Sequence, residues 1–113
     1  MELTDVQFKE SVFDYEDFQV KSNKPVVVDL YTDWCTACKS LSPALDRVAQ
    51  KFEGIVDIVK VNITRSDALA SALDIQSVPT LLFLQPGRKG PSQTLVGATT
   101  PALVEKTIAE YLL

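Results

Sequence analysis

The hydrophobic positions of the chain change their period at one junction that organises the rest. Residues 26–31 form a β-branched, nearly all-apolar run after Pro25, which is typical of a central strand covered on both faces. From Cys35 onward, apolar residues recur at steps of three and four, which predicts an amphipathic helix over residues 35–52. The sequence therefore predicts a strand that runs into a helix, with a Cys-x-x-Cys pair where they meet.

Alternating apolar positions indicate further strands on both sides of this unit. The predicted strands are an outer one at residues 6–12 and others at residues 55–63, 81–84 and 93–96. The last two are joined by a polar loop, which predicts a terminal hairpin. The strand at residues 55–63 is expected to be buried, with one charge inside it, Lys60.

Capping residues mark the starts of further helices. Asp14 predicts a short helix over residues 14–21, and Thr64 or Ser66 precedes another over residues 67–73. The last helix begins with Thr100 and Pro101, and the residues expected on its buried side are Leu103, Val104, Ile108 and Leu112. Interleaved strands and helices with a terminal hairpin predict an α/β fold, with a mixed sheet that has helices on both faces.

Composition narrows the class of protein. The 113 residues are 46% hydrophobic and 23% charged, as expected for one globular domain over residues 1–113. The net charge of −4 and the pI near 4.7 argue against a nucleic-acid or anionic-membrane partner. The acidic first residues do not resemble a leader, and a single cysteine pair fits a reducing cytosol, so we expect a cytoplasmic protein.

The position of the cysteines has chemical consequences. At the start of a helix, the Cys35 sulfur faces free backbone N–H groups and the positive end of the helix dipole, which favour the thiolate. The thiolate is the nucleophile of disulfide exchange. Cys38 lies one turn further on the same side, close enough to form a disulfide with Cys35.

Two other roles for the pair stay open. A zinc site needs four ligands, and the chain has two cysteines and no histidine, so a metal or iron–sulfur centre would have to be shared between two chains. Inert core thiols are the other alternative. The preceding strand, Trp34 and Lys39 argue against them.

Four motifs together resemble the thioredoxin family. They are Trp34-Cys35-Thr36-Ala37-Cys38-Lys39 after Val-Asp-Leu-Tyr, then Pro43, then Ser77-Val78-Pro79-Thr80, then Val96-Gly97-Ala98. The resemblance runs from about Asp14 to the C-terminus. It implies the thioredoxin fold, with a five-stranded mixed sheet and about four helices. It further implies a monomeric protein-disulfide reductase without a cofactor other than its cysteine pair, and a thioredoxin reductase or similar electron donor.

The resemblance also assigns roles to two charged residues on strands. It places Asp29 beneath the cysteines, where its carboxyl exchanges a proton with Cys38, and Lys60 beside Asp29. From the residues alone, Asp29 could instead lie on the exposed face of an edge strand. Lys60 could likewise be a strand residue whose ammonium group reaches solvent.

A substrate-binding surface is implied around the cysteines. Pro79 matches the family's cis-proline, which would leave the backbone of Val78 free to pair with an extended substrate. Without the family, the same residues would be an ordinary entry into a strand. The other residues implied at this surface are Tyr31, Trp34, Thr36, Ala37, Gly97 and Ala98. Alone, Trp34 would more often be a packing residue, and Lys39 is either a cation that favours the thiolate or part of the solvated helix surface.

The dipeptide between the cysteines departs from the family, which usually has Gly-Pro there. The motif with Thr36 and Ala37 is more similar to that of the periplasmic C-terminal domain of the membrane thiol:disulfide interchange reductase. Loss of the proline relaxes the turn, and it predicts a pair more oxidising than that of ordinary thioredoxin. A dedicated electron relay or isomerase-like enzyme is therefore an alternative function, and a non-catalytic binding module is a further one.

Overall fold

A five-stranded mixed sheet forms the centre of the protein. The computed structural model describes residues 1–113. In chain order the elements are β1 (Glu2–Leu3), α1 (Asp5–Ser11), β2 (Phe13–Asp14), β3 (Gln19–Val20), β4 (Val26–Tyr31), α2 (Thr36–Lys51), β5 (Asp57–Asn62), α3 (Asp67–Ala72), β6 (Thr80–Leu84), β7 (Gln93–Val96) and α4 (Pro101–Tyr111). The sheet order is β1-β5-β4-β6-β7, with β5 parallel to β1 and β4, and β6 antiparallel to β4 and β7. This confirms the predicted fold class.

The central strand β4 is buried because helices cover both faces of the sheet. Its alternate residues Val26, Val28 and Leu30 pack into one core with α1 and α3. Val27, between them, packs into a second core with α2 and α4. Since side chains alternate along a strand, Asp29 shares the face of Val27 and points to the α2 side.

The prediction of a strand at residues 6–12 is wrong, because this stretch contains helix α1. Thr4 and Gln7 form a capping box, in which each side chain accepts the backbone N–H of the other residue. Phe8 and Val12 are both buried and are four residues apart, which is helical spacing. The outer strand of the sheet is β1 instead, which has only two residues and therefore no readable period.

The prediction of a helix at residues 14–21 is also wrong. Here β2 and β3 form a small antiparallel hairpin, and Phe18 in its turn has a φ of +56°, which an α-helix does not accommodate. The hairpin is held from outside, since Val20 N–H donates to the carbonyl of Arg88 at 3.2 Å. Long-range pairing has overridden the local preference of the segment.

The remaining elements agree with prediction to within a few residues. Thr100 caps α4 by accepting the backbone N–H of Leu103. Leu103 itself was expected on the buried side and is 42% exposed. Thr107 is buried in that face instead, and its hydroxyl is satisfied by donating to the Leu103 carbonyl at 2.7 Å. None of the helices is both long enough and apolar enough to cross a membrane.

The capping box of α1 leads to a stability prediction. Thr4→Ala removes the acceptor for the Gln7 N–H, so we expect the free energy of unfolding to fall by about 1 kcal/mol. Urea denaturation measures the change. Thr4→Ser keeps the hydroxyl and should stay close to the unsubstituted protein. Equal losses in the two variants would contradict a helix that starts at this residue.

Candidate active site

Cys35 and Cys38 form a disulfide at the N-terminus of α2. Cys35 is the N-cap residue, and its Sγ accepts the backbone N–H of Cys38 at 3.1 Å. The first turn of the helix contains no acidic residue that would oppose a negative sulfur. When the pair is reduced, this N–H and the helix dipole favour the Cys35 thiolate over the thiol.

Asp29 is a buried carboxyl that lines the same cleft as Cys38. Its side chain is 1% exposed, and its Oδ1 has no hydrogen-bond partner in the protein. Burial raises the pKa of Asp29 from 3.8 to about 6, the charge of Lys60 opposes this rise, and the charge of Glu2 adds to it. Because β4 is the middle strand of the sheet, the alternative of an exposed edge position is wrong.

The cleft beside Asp29 has a volume of about 350 Å³. It brings together three of the predicted catalytic residues, Cys38, Asp29 and Lys60. The other residues that line it are Glu2, Tyr31, Thr32, Asp33, Lys39, Ser42 and Asn62. Burial and a 2.8 Å hydrogen bond from its hydroxyl to Glu2 raise the pKa of Tyr31 to about 12.

Lys60 lies directly beside Asp29 in the register of β5 and β4. Its side chain is 15% exposed, so it is not a freely solvated strand residue. The ammonium group donates to Asp46 Oδ1 at 2.8 Å and to both the hydroxyl and the carbonyl of Ser42. Its direct partners therefore all lie on α2, and it acts on Asp29 only through space.

The register of the sheet places two further loops at the end where β4 leads to the cysteines. Thr80, the first residue of β6, is paired with Leu30 near the end of β4. Pro79, just before it, is buried, and the Val78–Pro79 peptide is cis, as the resemblance implies. The N–H of Gly97 donates to the Pro79 carbonyl at 2.8 Å, which brings the loop after β7 against this segment.

Most side chains predicted for the surface around the cysteines are accessible. Trp34 is 73% exposed, so it is not a packing residue. Thr36, Ala37, Lys39 and Ala98 are exposed, whereas Val78, Gly97 and Tyr31 are half-buried. An exposed tryptophan beside a helix-capping disulfide offers an apolar contact to a macromolecule that reaches the sulfurs.

Three polar residues of this region were not predicted from the sequence: Glu2, Ser42 and Asp46. Glu2 belongs to a strand too short to recognise, and its contact with Tyr31 spans 29 residues. A signal did exist for the other two. Cys38, Ser42 and Asp46 are four residues apart in turn, which places polar groups along one face of a helix that is otherwise amphipathic.

The known proteins that resemble this chain belong to one family, whose fold agrees with this architecture. The thioredoxin family model covers residues 1–110 of the chain, so the similarity includes the N-terminal elements before Asp14. Thioredoxin 1 of Nostoc sp. is 34% identical over 111 residues, which are 98% of this chain and 95% of that protein. Thioredoxins of Synechocystis sp. and Pyropia yezoensis are 33% and 30% identical with the same coverage.

Together these findings define a thiol–disulfide oxidoreductase that reduces protein disulfides by dithiol–disulfide exchange. The chain belongs to the thioredoxin family. The comparisons do not favour the alternative of a dedicated relay or isomerase-like enzyme, because these relatives are thioredoxins and the similarity covers nearly the whole length of both chains.

The raised pKa of Asp29 leads to a pH-dependent stability prediction. The folded protein binds this proton up to about pH 6, whereas the unfolded chain loses it near 3.8, so stability is lost as the pH rises between these values. Asp29→Asn removes this loss and should raise the free energy of unfolding by about 2–3 kcal/mol at pH 7. Near pH 4 the gain should almost vanish. Urea unfolding of both proteins at the two pH values tests this, and a gain independent of pH would contradict it.

Proposed function

We propose that Cys35 is the nucleophile and Cys38 the resolving cysteine of a general protein-disulfide reductase, with Asp29 as the proton acceptor for Cys38. The observation that carries the proposal is the N-cap position of Cys35, whose Sγ accepts the Cys38 N–H at 3.1 Å. This arrangement favours the thiolate at one of the two sulfurs only. Cys38 lies deeper and lines the cleft of Asp29.

The reaction has two exchange steps. The Cys35 thiolate attacks one sulfur of a substrate disulfide, and the other substrate sulfur leaves as a thiolate that takes a proton from water. Cys38 then gives its proton to the Asp29 carboxylate and attacks Cys35 Sγ, which releases the second substrate sulfur as a thiolate. This thiolate takes a proton from water, and Asp29 returns its own proton to water. The substrate gains two electrons and two protons, and the Cys35–Cys38 disulfide is formed. With a pKa of about 6, Asp29 is mostly ionised at pH 7 and is a stronger base than an ordinary aspartate.

Substrate is bound in this proposal as an extended segment next to Cys35. The N–H and C=O of Val78 make no hydrogen bond within the protein, so they are free to pair with a substrate backbone. Trp34, Thr36, Ala37, Gly97 and Ala98 form the surrounding contact surface. These groups bind main chain and apolar surface, which suits a reductase with many protein substrates.

The redox partners follow from the same chemistry. The oxidised pair is recharged by a thioredoxin reductase or a similar electron donor, and the pair itself is the only redox group, with no added cofactor. We place the protein in a reducing cytoplasm, where it takes part in electron transport and cell redox homeostasis, because its single cysteine pair is used for exchange rather than for cross-linking. Residues 1–113 act as one domain and as a monomer.

Cysteine variants test the two roles. In an assay where dithiothreitol keeps the protein reduced, Cys35→Ser should abolish the catalysed reduction of insulin disulfides, because no nucleophile remains. Cys38→Ser should instead accumulate a mixed disulfide between Cys35 and the substrate, because nothing resolves it. Mass spectrometry of the trapped adduct measures the difference.

The same variants separate catalysis from binding alone. Thr36→Ser, a small change between the cysteines, serves as a control that should retain turnover. A mixed disulfide formed through Cys38 in Cys35→Ser would reverse the proposed roles. Unchanged partner binding by Cys35→Ser, with no turnover in the unsubstituted protein, would support a non-catalytic binding module.

The reduction potential tests the effect of the Thr36-Ala37 dipeptide. A general reductase requires the Cys35–Cys38 pair to equilibrate near −270 mV, the value of thioredoxin itself, and such a value would contradict the expectation of a more oxidising pair. The fluorescence of Trp34, the only tryptophan, reports the state of the adjacent pair in glutathione or dithiothreitol buffers. A potential near −200 mV, typical of glutaredoxins or of isomerases, would contradict a general reductase. Thr36→Gly with Ala37→Pro restores the usual dipeptide as the matched comparison.

A further inference from the structure

One face of α2 carries a row of polar side chains above the centre of the sheet. Cys38, Ser42 and Asp46 follow one another at intervals of four residues, and such residues lie on the same side of a helix. Cys38 and Ser42 line the cleft that contains Asp29 and Lys60. The row therefore leads from the inner cysteine to the lysine beside the buried carboxyl.

The ammonium group of Lys60 is fully occupied by this row. A lysine has three N–H donors. Those of Lys60 are matched by three acceptors on α2, which are the Ser42 carbonyl at 3.4 Å, the Ser42 hydroxyl, and Asp46 Oδ1 at 2.8 Å. Asp46 is also the ion-pair partner of Lys60, whereas Asp29 is not.

The carboxyl of Asp29 is left without a partner although the cation is its neighbour in the sheet. Asp29 and Lys60 are paired in register on adjacent strands, where side chains on one face are close together. Yet Asp29 Oδ1 is buried and accepts no hydrogen bond. A direct contact with the ammonium group would satisfy this oxygen and favour the charged form, so the observed arrangement depends on something that holds Lys60 elsewhere.

We propose that Ser42 and Asp46 are positioning residues that hold the Lys60 ammonium against α2 and thereby keep it out of direct contact with the Asp29 carboxyl. This rests on the proposed function, in which Asp29 takes the proton of Cys38. A carboxylate in direct contact with Lys60 is a weaker base, because the cation stabilises its charged form. Ser42 and Asp46 do not touch substrate, and they act through Lys60 alone.

The other charged and titratable groups near Asp29 lie on β1, β4, β5 and α2 and in the loop before α2. Glu2 of β1 raises the pKa of Asp29, and Lys60 of β5 lowers it. The remaining groups of the cleft are Tyr31 at the end of β4, Asp33 in the loop before α2, and Cys38 and Lys39 on α2. Tyr31 is bonded to Glu2 and Asp33 to Asn62, so neither is a competing partner for Lys60.

The titration of Asp29 tests the proposal without any assay of activity. The carboxyl carbon of Asp29 is followed by NMR against pH in the oxidised protein and in Ser42→Ala, Asp46→Ala and the double variant. Asp46 is 66% exposed at the surface of α2, so its replacement by alanine leaves the core intact. Glu110→Ala on α4 is the matched control, since it removes another exposed acid, 52% exposed, from an ion pair with Lys106.

Release of Lys60 should lower the pKa of Asp29 by about 1 pH unit in Asp46→Ala, and further in the double variant. Glu110→Ala should leave it unchanged. The change must disappear when Asp46→Ala is combined with Lys60→Met, because the effect acts through the lysine. An unchanged or higher pKa in Asp46→Ala would overturn the proposal, as would an equal fall with and without Lys60.

A second measurement separates this proposal from the assigned role of Asp29. The rate at which Cys38 resolves a mixed disulfide should fall several-fold at pH 7 in Asp46→Ala, and Asp29→Asn should remove that difference. If the titration shifts while the resolution rate does not, the positioning role stands and Asp29 is not the proton acceptor. If neither changes, the positioning role is overturned.

Discussion

The burial of β4 on both faces is the constraint on which the rest of the molecule depends. A strand covered by α1 and α3 on one side and by α2 and α4 on the other has only its two ends near solvent. Its C-terminal end leads directly to Cys35, and the neighbouring β6 begins at the same edge. The sheet thus holds the disulfide at the N-terminus of α2, just after the short loop that follows β4.

The same burial creates the chemical asymmetry of the site. Asp29 is the one charged residue of β4, and at that position the apolar core raises its pKa to about 6. A carboxyl of this kind destabilises the folded state at neutral pH, which agrees with the role in Cys38 chemistry that we propose for Asp29. In that proposal, the protein gives up stability for a base whose pKa lies close to the pH at which it works.

The mixed α/β sheet and the strand–helix junction that carries the cysteines could be predicted from strong local patterns, whereas the thioredoxin fold was implied by the family resemblance. The apolar run before Cys35, the three- and four-residue spacing of α2 and the Thr100-Pro101 start of α4 each have one physical interpretation. The predictions of a strand at residues 6–12 and of a helix at residues 14–21 are wrong. The apolar residues of these segments fit a strand or a helix nearly as well, and the hairpin there is held by hydrogen bonds to the distant loop near Arg88.

The sequence by itself determined the central strand, the helix that follows it and the position of two thiols at their junction, since all of these arise from neighbouring residues. Only the tertiary structure decided where the charges around them point. Lys60 could be assigned to the strand beside Asp29, but its bonds to Ser42 and Asp46 depend on how α2 packs across β5. The contact of Glu2 with Tyr31 depends in the same way on β1 joining the sheet. Side chains far apart in sequence meet only after the sheet and its helices have packed, so no local pattern encodes their partners.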